Sequence, residues 1–586
     1  MAVDTATDSV ADRLRAILGS SGPRAVSLTP WTASTLAVVA LLLFPLMSIF
    51  VGVFGPPSET WQHLASTVLL DYVWHSSLLV VGIGALTLVI GISTAWLVTT
   101  CEFPGRRLFE WGLILPLSIP TYIMAYTYAA LFGHTGPIQT VLQVTLDPAT
   151  TAGLRTGLMS LPGAGVILAL ALYPYVYLIT RTSFMRQSGS ILETSKILGK
   201  SSWQTFWRVA LPMARPALIA GVTLVLMEVL NEYGAVRYFG VTTFTTGIFR
   251  AWFSLGDPAA AIRLSGCLLL FVFFLILLER VHRGRARFDG GTARYRPIVR
   301  FDLRGWWRWA TVIACGLPVI FGFILPVLQL LMWGIQVAPE AVNRQFLLLT
   351  LNSFGLAIAA AIITVMAGLL IVYSVRLSPT TALKLAARAS SLGYSIPGAV
   401  IAVGILIPFI WVDRQLLALF REASGASVGL ILTGTAAALL FAYVVRFLAV
   451  ALNPLDSGFE RTCGNLDETS RSLGVPPLKT LLKVDVPLLR GTLLSAGLLV
   501  FVDILKELPL TLILRPFNFN TLATRAFQLA MDEQVARSAL PALLIIVTGM
   551  IPVILLSRLI GQHSEYGSDR HPSRMAEPHT TTTAQG

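Results

Sequence analysis

The chain has 586 residues, of which 55% are hydrophobic and only 12% are charged. Soluble domains carry about 25% charged residues, so this composition excludes an ordinary water-soluble core and indicates a protein with several membrane spans. The formal net charge of +13 would favour a nucleic-acid partner if the protein were soluble. Here the basic residues fall mainly between apolar segments, which is the pattern that sets membrane orientation, so no nucleic-acid partner is expected.

The predicted elements begin with a mostly polar N-terminal segment, residues 1–31, that does not resemble a cleaved signal peptide and is expected to be cytoplasmic. Apolar runs long enough to cross a bilayer follow it. The twelve predicted spans lie at about 32–54, 76–100, 109–132, 160–182, 215–236, 260–280, 309–335, 351–375, 391–412, 428–450, 491–513 and 538–559. The predicted fold class is therefore an all-α membrane protein with about twelve transmembrane helices.

Lysine and arginine between the spans set the orientation. Segments 182–214 and 280–308 are rich in them, and nine arginines lie in the second segment alone. Segment 55–74 has no lysine or arginine, and 133–156 has only Arg155. By the positive-inside rule, both termini and the middle of the chain are cytoplasmic.

These features divide the chain into two units of six spans each. The first unit is predicted over 32–281 and the second over 307–560, joined by a polar, arginine-rich cytoplasmic linker at 282–306. The tail from 561 to 586 is polar and is expected to be disordered in the cytoplasm.

The two units repeat one another, because Glu-Thr-Ser at 193–195 recurs at 468–470 and residues around it recur at the same offset of 275. Further pairs at this offset are Gly199 and Gly474, Pro212 and Pro487, Glu232 and Glu507, and Arg250 and Arg525. Since each unit has an even number of spans, the two units enter the membrane in the same direction.

Each unit carries a distinctive cytoplasmic loop between its fourth and fifth spans. The loop residues are Glu193, Thr194, Ser195, Gly199 and Pro212 in the first unit, and Glu468, Thr469, Ser470, Gly474 and Pro487 in the second. Glycine suits the left-handed turn that ends a helix, and proline suits the first turn of the next one. A short surface helix can dock a soluble partner, and two copies in register argue against a mere membrane anchor.

The triplet Gly199-Lys200-Ser201 resembles the end of an ATP-binding P-loop, but the first glycine of that motif would fall on Thr194. The chain is therefore expected to have no catalytic residues and no cofactor of its own. ATP and Mg²⁺ would be bound by a partner subunit.

Four carboxylates lie at membrane depth in the fifth and eleventh spans. Glu228 and Glu232 are spaced i, i+4, as are Asp503 and Glu507, so each pair is predicted to lie on one helix face. Such residues normally face protein or a water-filled path. They either line or gate a path for a hard cation, which prefers oxygen ligands, or pair with Lys506, Arg237 or a neighbouring helix. No metal ligand is firmly assigned.

The two loops resemble the E-A-A-x-x-x-G motif of ABC import permeases, with Thr-Ser in place of the alanines. The resemblance covers about 60–280 and 345–560. It implies the type I ABC importer permease fold in the bacterial inner membrane, with coupling loops that dock on a homodimeric ABC ATPase. It also implies a periplasmic or lipid-anchored solute-binding protein as a partner.

Longer blocks resemble ferric-iron permeases. Met227–Gly234 and Phe244–Arg250 are similar to their N-terminal half, whereas Lys506–Thr511 and Leu514–Arg525 are similar to their C-terminal half. The resemblance implies ferric iron as the transported solute. Fused permeases for thiamine and for phosphorylated or phosphonate solutes share the architecture and remain alternatives. A twelve-span secondary transporter is a more distant one, because it lacks the repeated loop.

Overall fold

The computed structural model describes residues 29–134, 136–186, 194–195, 197–283, 300–424, 429–462 and 466–565. Most of the predicted N-terminal segment, linker and tail lies outside these ranges, as does Glu193. Within the described ranges the chain is almost entirely helical.

The first unit contains the helices that we number α1 to α13. Their bounds are α1 Pro30–Val53, α2 Glu59–Thr67, α3 Leu69–Thr100, α4 Arg106–Gly112, α5 Thr121–Leu131, α6 Pro137–Thr145, α7 Pro148–Leu158, α8 Leu161–Arg186, α9 Ser202–Thr205, α10 Leu211–Asn231, α11 Gly234–Tyr238, α12 Phe244–Phe249 and α13 Pro258–Arg283.

The second unit contains α14 to α26. Their bounds are α14 Trp306–Val319, α15 Leu325–Ala341, α16 Arg344–Leu377, α17 Thr381–Ser390, α18 Gly398–Ser424, α19 Ala436–Thr462, α20 Leu466–Ser472, α21 Pro477–Thr480, α22 Val486–Leu488, α23 Arg490–Lys506, α24 Pro509–Leu514, α25 Leu522–Met531 and α26 Ala539–Glu565.

Ten helices in the described ranges are long and apolar enough to cross a membrane, or twelve if each of two bent pairs counts as one span. One bent pair joins Arg106–Ser118 to Thr121–Leu131 at 93°, and the other joins Pro477–Leu488 to Arg490–Lys506 at 78°. The prediction of an all-α membrane protein with about twelve spans is therefore confirmed.

The predicted third span, 109–132, is broken rather than straight. Ile119 is extended, with φ −93° and ψ 116°, because the proline that follows it disfavours helical backbone at the preceding residue. The repeat-equivalent Ile396, which precedes Pro397, is extended in the same way, with φ −96° and ψ 130°. Both units thus interrupt the chain at the same Ser-Ile-Pro triplet.

The fifth and eleventh spans end earlier than predicted. Helix α10 stops at Asn231 and α23 stops at Lys506. Glu232 and Glu507 follow in extended conformation, with φ −67° and ψ 125° and φ −67° and ψ 124°. Glu228 and Asp503 therefore lie within their helices, whereas Glu232 and Glu507 lie at the residue that ends each helix.

The first spanning segment of each unit packs against the other unit. Thr35 of α1 donates a buried hydrogen bond to the Ser374 hydroxyl of α16, at 2.7 Å. In the other direction, the Tyr128 hydroxyl of α5 donates to the carbonyl of Phe321, which follows α14. This exchange of segments holds the two units together as one bundle.

The start of the second unit is also tied to the first by a short parallel pairing of β1, Cys101–Glu102, with β2, Phe301–Asp302. Beside it, the buried Arg106 forms ion pairs with Glu102 and Glu110. The chain that leaves the linker is thus anchored at the end of α3.

Candidate functional site

A central cavity of about 120 Å³ lies between the two units, and all four predicted carboxylates line it. The walls come from α8 and α10 of the first unit and from α19 and α23 of the second. The charged residues that line it are Glu228, Glu232, Arg446, Asp503, Lys506 and Glu507. The structure therefore brings together four carboxylates and two cations at the contact between the repeats.

Glu232 turns its carboxylate to the helix that follows it. It accepts a hydrogen bond from the backbone N–H of Ala235 at 2.8 Å and another from the Thr121 hydroxyl. Its carbonyl accepts from the Thr245 hydroxyl at 2.6 Å. Because a carboxylate stabilises the free N–H groups that begin a helix, Glu232 both ends α10 and caps α11.

Glu507 has the same local geometry and a different partner. Its carboxylate accepts from the backbone N–H of Leu510 at 3.1 Å, three residues on, as Glu232 does with Ala235. Its other oxygen lies 3.2 Å from Nε of Arg446, and both side chains are about 5% exposed. Arg446 also donates to the carbonyl of Ile396 at 2.8 Å.

Sequence reasoning did not single out Arg446. The available signal was an arginine within the apolar run predicted at 428–450, where a charge is costly unless it is paired. The ion pair of Glu507 is therefore with Arg446, whereas the expected alternatives were Lys506, Arg237 or a neighbouring helix. It satisfies the last of these, since Arg446 lies on α19.

Two further contacts cross between the units beside the cavity. Lys506, the last residue of α23, donates to the carbonyl of Leu117 at 3.1 Å. Its repeat equivalent Asn231, the last residue of α10, accepts from the backbone N–H of Gly398 at 2.7 Å. Each helix break thus touches the Ser-Ile-Pro region of the opposite unit, so a movement of one unit would change the cavity directly.

Among the described residues, no group of three or more His, Cys, Asp or Glu side chains is arranged to hold a metal ion. The four carboxylates line the same cavity.

The two repeated loops end their helical turns at glycine, as the sequence predicts. Gly199 and Gly474 have φ of +72° and +73°, which is the left-handed region that favours glycine. The backbone N–H of Lys200 bonds to the carbonyl of Ser195, and that of Val475 bonds to the carbonyl of Ser470, both at 3.1 Å.

A hydroxyl pair joins the two arms of each loop. Ser195 and Thr205 share a buried hydrogen bond at 2.9 Å, and Ser470 and Thr480 share one at 2.6 Å. Sequence reasoning noted that these residues repeat but did not predict that they meet. The serine of each Glu-Thr-Ser triplet therefore fixes the angle between the arms.

The tips of the loops expose apolar side chains. Ile197 and Leu198 are 84% and 71% exposed, and Leu473 is 77% exposed. Glu193 lies outside the described residues, and although Glu468 lies on α20, its side chain is not described. Adjacent exposed apolar side chains, such as Ile197 and Leu198, are a feature of surfaces that dock a protein partner.

Pro212 and Pro487 each follow a π-helical segment, Phe206–Ala210 and Leu481–Asp485. Proline has no N–H and crowds the carbonyl one turn before it, and the wider π turn accommodates it. The helix continues past Pro212 in the first unit, whereas in the second unit the helix that holds Pro487 ends at Leu488 and is bent by 78° from Arg490–Lys506. The prediction that Pro212 opens a new span is therefore wrong, because the span runs unbroken over Trp203–Asn231.

Comparison with known proteins places the chain among transport permeases. Residues 87–287, which span most of the first unit and the start of the linker, match the family described as "Binding-protein-dependent transport system inner membrane component". The Fe(3+)-transport system permease protein FbpB 2 of Haemophilus influenzae is 26% identical over 499 residues, which is 84% of this chain and 89% of that protein.

Two more relatives extend the comparison. The ferric transport system permease protein FbpB of Actinobacillus pleuropneumoniae is 23% identical over 494 residues, covering 80% of this chain and 68% of that protein. The sulfate transport system permease protein CysW of Escherichia coli is 32% identical over 197 residues, covering 33% of this chain and 65% of that protein. The chain is a two-unit permease of the binding-protein-dependent transport class, homologous to ferric transport permeases along most of its length.

Proposed function

We propose that this chain is the membrane permease of an ATP-driven importer and that it carries ferric iron through the cavity between its two units. The observation that carries the proposal is the convergence of Glu228, Glu232, Asp503 and Glu507 on one interface cavity, in a chain whose relatives named for ferric transport match both units. Fe³⁺ is a hard cation, and hard cations prefer oxygen ligands.

The mechanism follows from where the helix breaks lie. Glu232 and Glu507 each end a helix that begins beside one of the cytoplasmic loops, so a push on a loop is transmitted along a span to the cavity. We infer that a homodimeric ATPase grips the loops through their exposed apolar tips and that its closure rocks the units apart on the far side. A periplasmic or lipid-anchored binding protein would deliver the solute there, with both termini of this chain in the cytoplasm.

Uptake of radiolabelled iron tests the cargo. Cells that express the chain with its binding protein and ATPase should accumulate iron in an ATP-dependent manner, and Glu232→Gln and Glu507→Gln should each reduce the rate at unchanged expression. Full uptake by both variants would remove the carboxylates from the path. Unlabelled thiamine or a phosphonate that competes with iron would favour the alternative cargoes.

An anionic cargo is the second candidate, because a sulfate permease is 32% identical to this chain over 197 residues. The four carboxylates at the cavity argue against a bare anion, since only Arg446 and Lys506 oppose them. Radiolabelled sulfate in the same cells separates the two: accumulation of sulfate without iron would overturn the ferric proposal.

The coupling loops need a separate test. The double variant Glu193→Lys with Glu468→Lys, and the double variant Ile197→Ser with Leu473→Ser, should both release the ATPase while membrane insertion is unchanged. A matched control is Val144→Ser, since Val144 is 84% exposed on the short helix α6, which belongs to neither loop. If the ATPase still co-purifies in full with both double variants, these loops are not its docking site.

A further inference from the structure

A second and larger cavity lies between the units at the end of the bundle opposite the loops, and its volume is about 670 Å³. Its walls come from the short helices that follow the two breaks, α11 and α12 in the first unit and α24 and α25 in the second. Small-molecule sites typically enclose about 300–1,000 Å³, so this cavity has the size of a ligand site and exceeds what a bare ion needs.

Three arginines line this cavity: Arg237, Arg250 and Arg515. The single carboxylate among the lining residues is that of Asp532. Within the described part of the chain, Arg515 donates to the Asn520 side chain, Arg250 shares the cavity wall with Tyr72, and no ion pair with a carboxylate joins any of the three arginines. Like charges around one cavity repel, and a bound anion would relieve that repulsion.

An aromatic layer separates this basic cavity from the acidic one. Tyr233 stacks on Phe249 with ring centroids 3.6 Å apart, and it lies 6.0 Å from the ring of Phe527. Phe527 in turn meets the edge of Tyr122, which lines the acidic cavity. A solute that enters from this end therefore meets arginines first, then an apolar barrier and then carboxylates.

We propose that the cavity formed around Arg237, Arg250 and Arg515 is an oxyanion site that holds the carboxylate or phosphate group accompanying the cargo. The guanidinium group offers a planar fork of N–H donors that matches both carboxylate and phosphate oxygens. Three clustered cations would repel a bare Fe³⁺, whereas an iron complex with excess anionic charge would be attracted.

The argument for anion binding depends only on the three arginines. The further claim that the anion accompanies iron rests on the proposed ferric function. The site also gives a role to two sequence blocks that the carboxylate cavity leaves unexplained. Arg250 closes the block Phe244–Arg250, and Arg515 lies in the block Leu514–Arg525. These blocks would select the form in which the cargo arrives.

Calorimetric titration of the purified full-length chain tests the site. Inorganic phosphate and citrate are titrated separately, with sodium chloride at matched ionic strength as the blank, and the two arms decide which oxyanion is preferred. Arg250→Gln and Arg515→Gln should each weaken binding about tenfold or more, because each removes a charge-assisted bond. Arg250→Lys keeps the charge but loses the planar fork of donors, so its anion affinity should lie between those of the unaltered chain and Arg250→Gln.

Arg525→Gln is the matched control, because Arg525 is the repeat equivalent of Arg250 and lines a different cavity of about 730 Å³. It should bind phosphate and citrate as the unaltered chain does. If gel filtration shows that Arg250→Gln is misfolded, Arg515→Gln and Arg250→Lys can still be compared with Arg525→Gln for anion binding.

Two results would overturn the site: neither anion binds more strongly than chloride, or Arg525→Gln weakens binding as much as Arg250→Gln. Iron uptake that continues without measurable anion binding removes this inference and leaves the ferric function standing. Anion binding in a chain that moves no iron removes the ferric function and leaves the site standing.

Discussion

The two repeated loops and the central cavity come from the same duplication, but the loops have kept the same geometry in both units and the cavity walls have not. In the loops, Gly199 and Gly474 differ in φ by one degree, and each serine meets its threonine ten residues on. At the cavity, the backbone of Glu232 matches that of Glu507, yet the side chains around the two carboxylates differ.

The difference at the cavity is one of charge. Helices α8 and α19 begin 275 residues apart, so Arg446 stands where the first unit has Ala171, and both positions line the cavity. In the same way, Lys506 stands where the first unit has Asn231. The second unit therefore supplies both cations, while each unit supplies two carboxylates.

The two regions face different numbers of partners, which accounts for this pattern. Under the proposed function, two loops that each dock on one copy of an identical ATPase subunit would be under the same constraint twice. A cavity that receives one solute at a time would leave its two walls free to diverge. Fusion of the units into one chain makes such divergence possible, because each wall is encoded separately.

The largest expected effect comes from breaking the asymmetric ion pair. Arg446→Ala leaves the Glu507 carboxylate buried without its cation, which costs about 3–5 kcal/mol of folding stability. Thermal unfolding in detergent measures the loss. The double variant Arg446→Ala with Glu507→Gln removes the orphaned charge and should recover much of it; a double variant no more stable than the single one would contradict the ion pair.

The equivalent carboxylate of the first unit should be less sensitive. In Glu232→Gln the amide oxygen still accepts from Thr121 or from the N–H of Ala235, so only the charge assistance is lost, about 1–2 kcal/mol. Glu507→Gln should cost more, because it leaves Arg446 buried and unpaired. Equal unfolding temperatures for the two variants would mean that the asymmetry has no energetic consequence.

The sequence alone predicts the symmetric features of this protein well. Twelve apolar runs, the offset of 275 and the glycines of the loops are local patterns, and each is visible without knowing what packs against it. The sequence also predicts that the four carboxylates lie near one another, because repeated residues at the same depth on equivalent spans meet where the two units are in contact.

The features that sequence reasoning missed depend on contacts between distant segments. An arginine in an apolar run reveals that it needs a partner but not that Glu507, 61 positions on, is that partner. The break after Asn231 has no proline to announce it; it exists because Glu232 caps the helix that follows. The Ser195–Thr205 bond depends on how the loop closes, which no residue pattern encodes.

The loop glycines should respond alike. Gly199→Ala and Gly474→Ala place a Cβ in the left-handed region, which costs about 1–2 kcal/mol, although nothing lies within 4 Å of either added carbon. ATPase affinity should fall by a similar factor in each variant. Gly491→Ala is the control, since Gly491 lies in α23 with open space around it and without a positive φ. A loss confined to one loop would break the proposed equivalence.

The smallest effect should come from the hydroxyl pairs, and here the loops should differ slightly. Ser195→Ala removes the partner of Thr205, and Ser470→Ala removes that of Thr480, each at a cost of about 0.5–1.5 kcal/mol. Thr480 keeps a second acceptor, the carbonyl of Pro476 at 3.5 Å, so Ser470→Ala should cost less. Hydrogen exchange at the amides of Lys200 and Val475, which close the two turns, measures each loop separately. Exchange at Val475 should rise less than exchange at Lys200 in the respective variants. An equal rise at both amides would show that the second acceptor contributes nothing, and the two loops would then be equivalent even at this level.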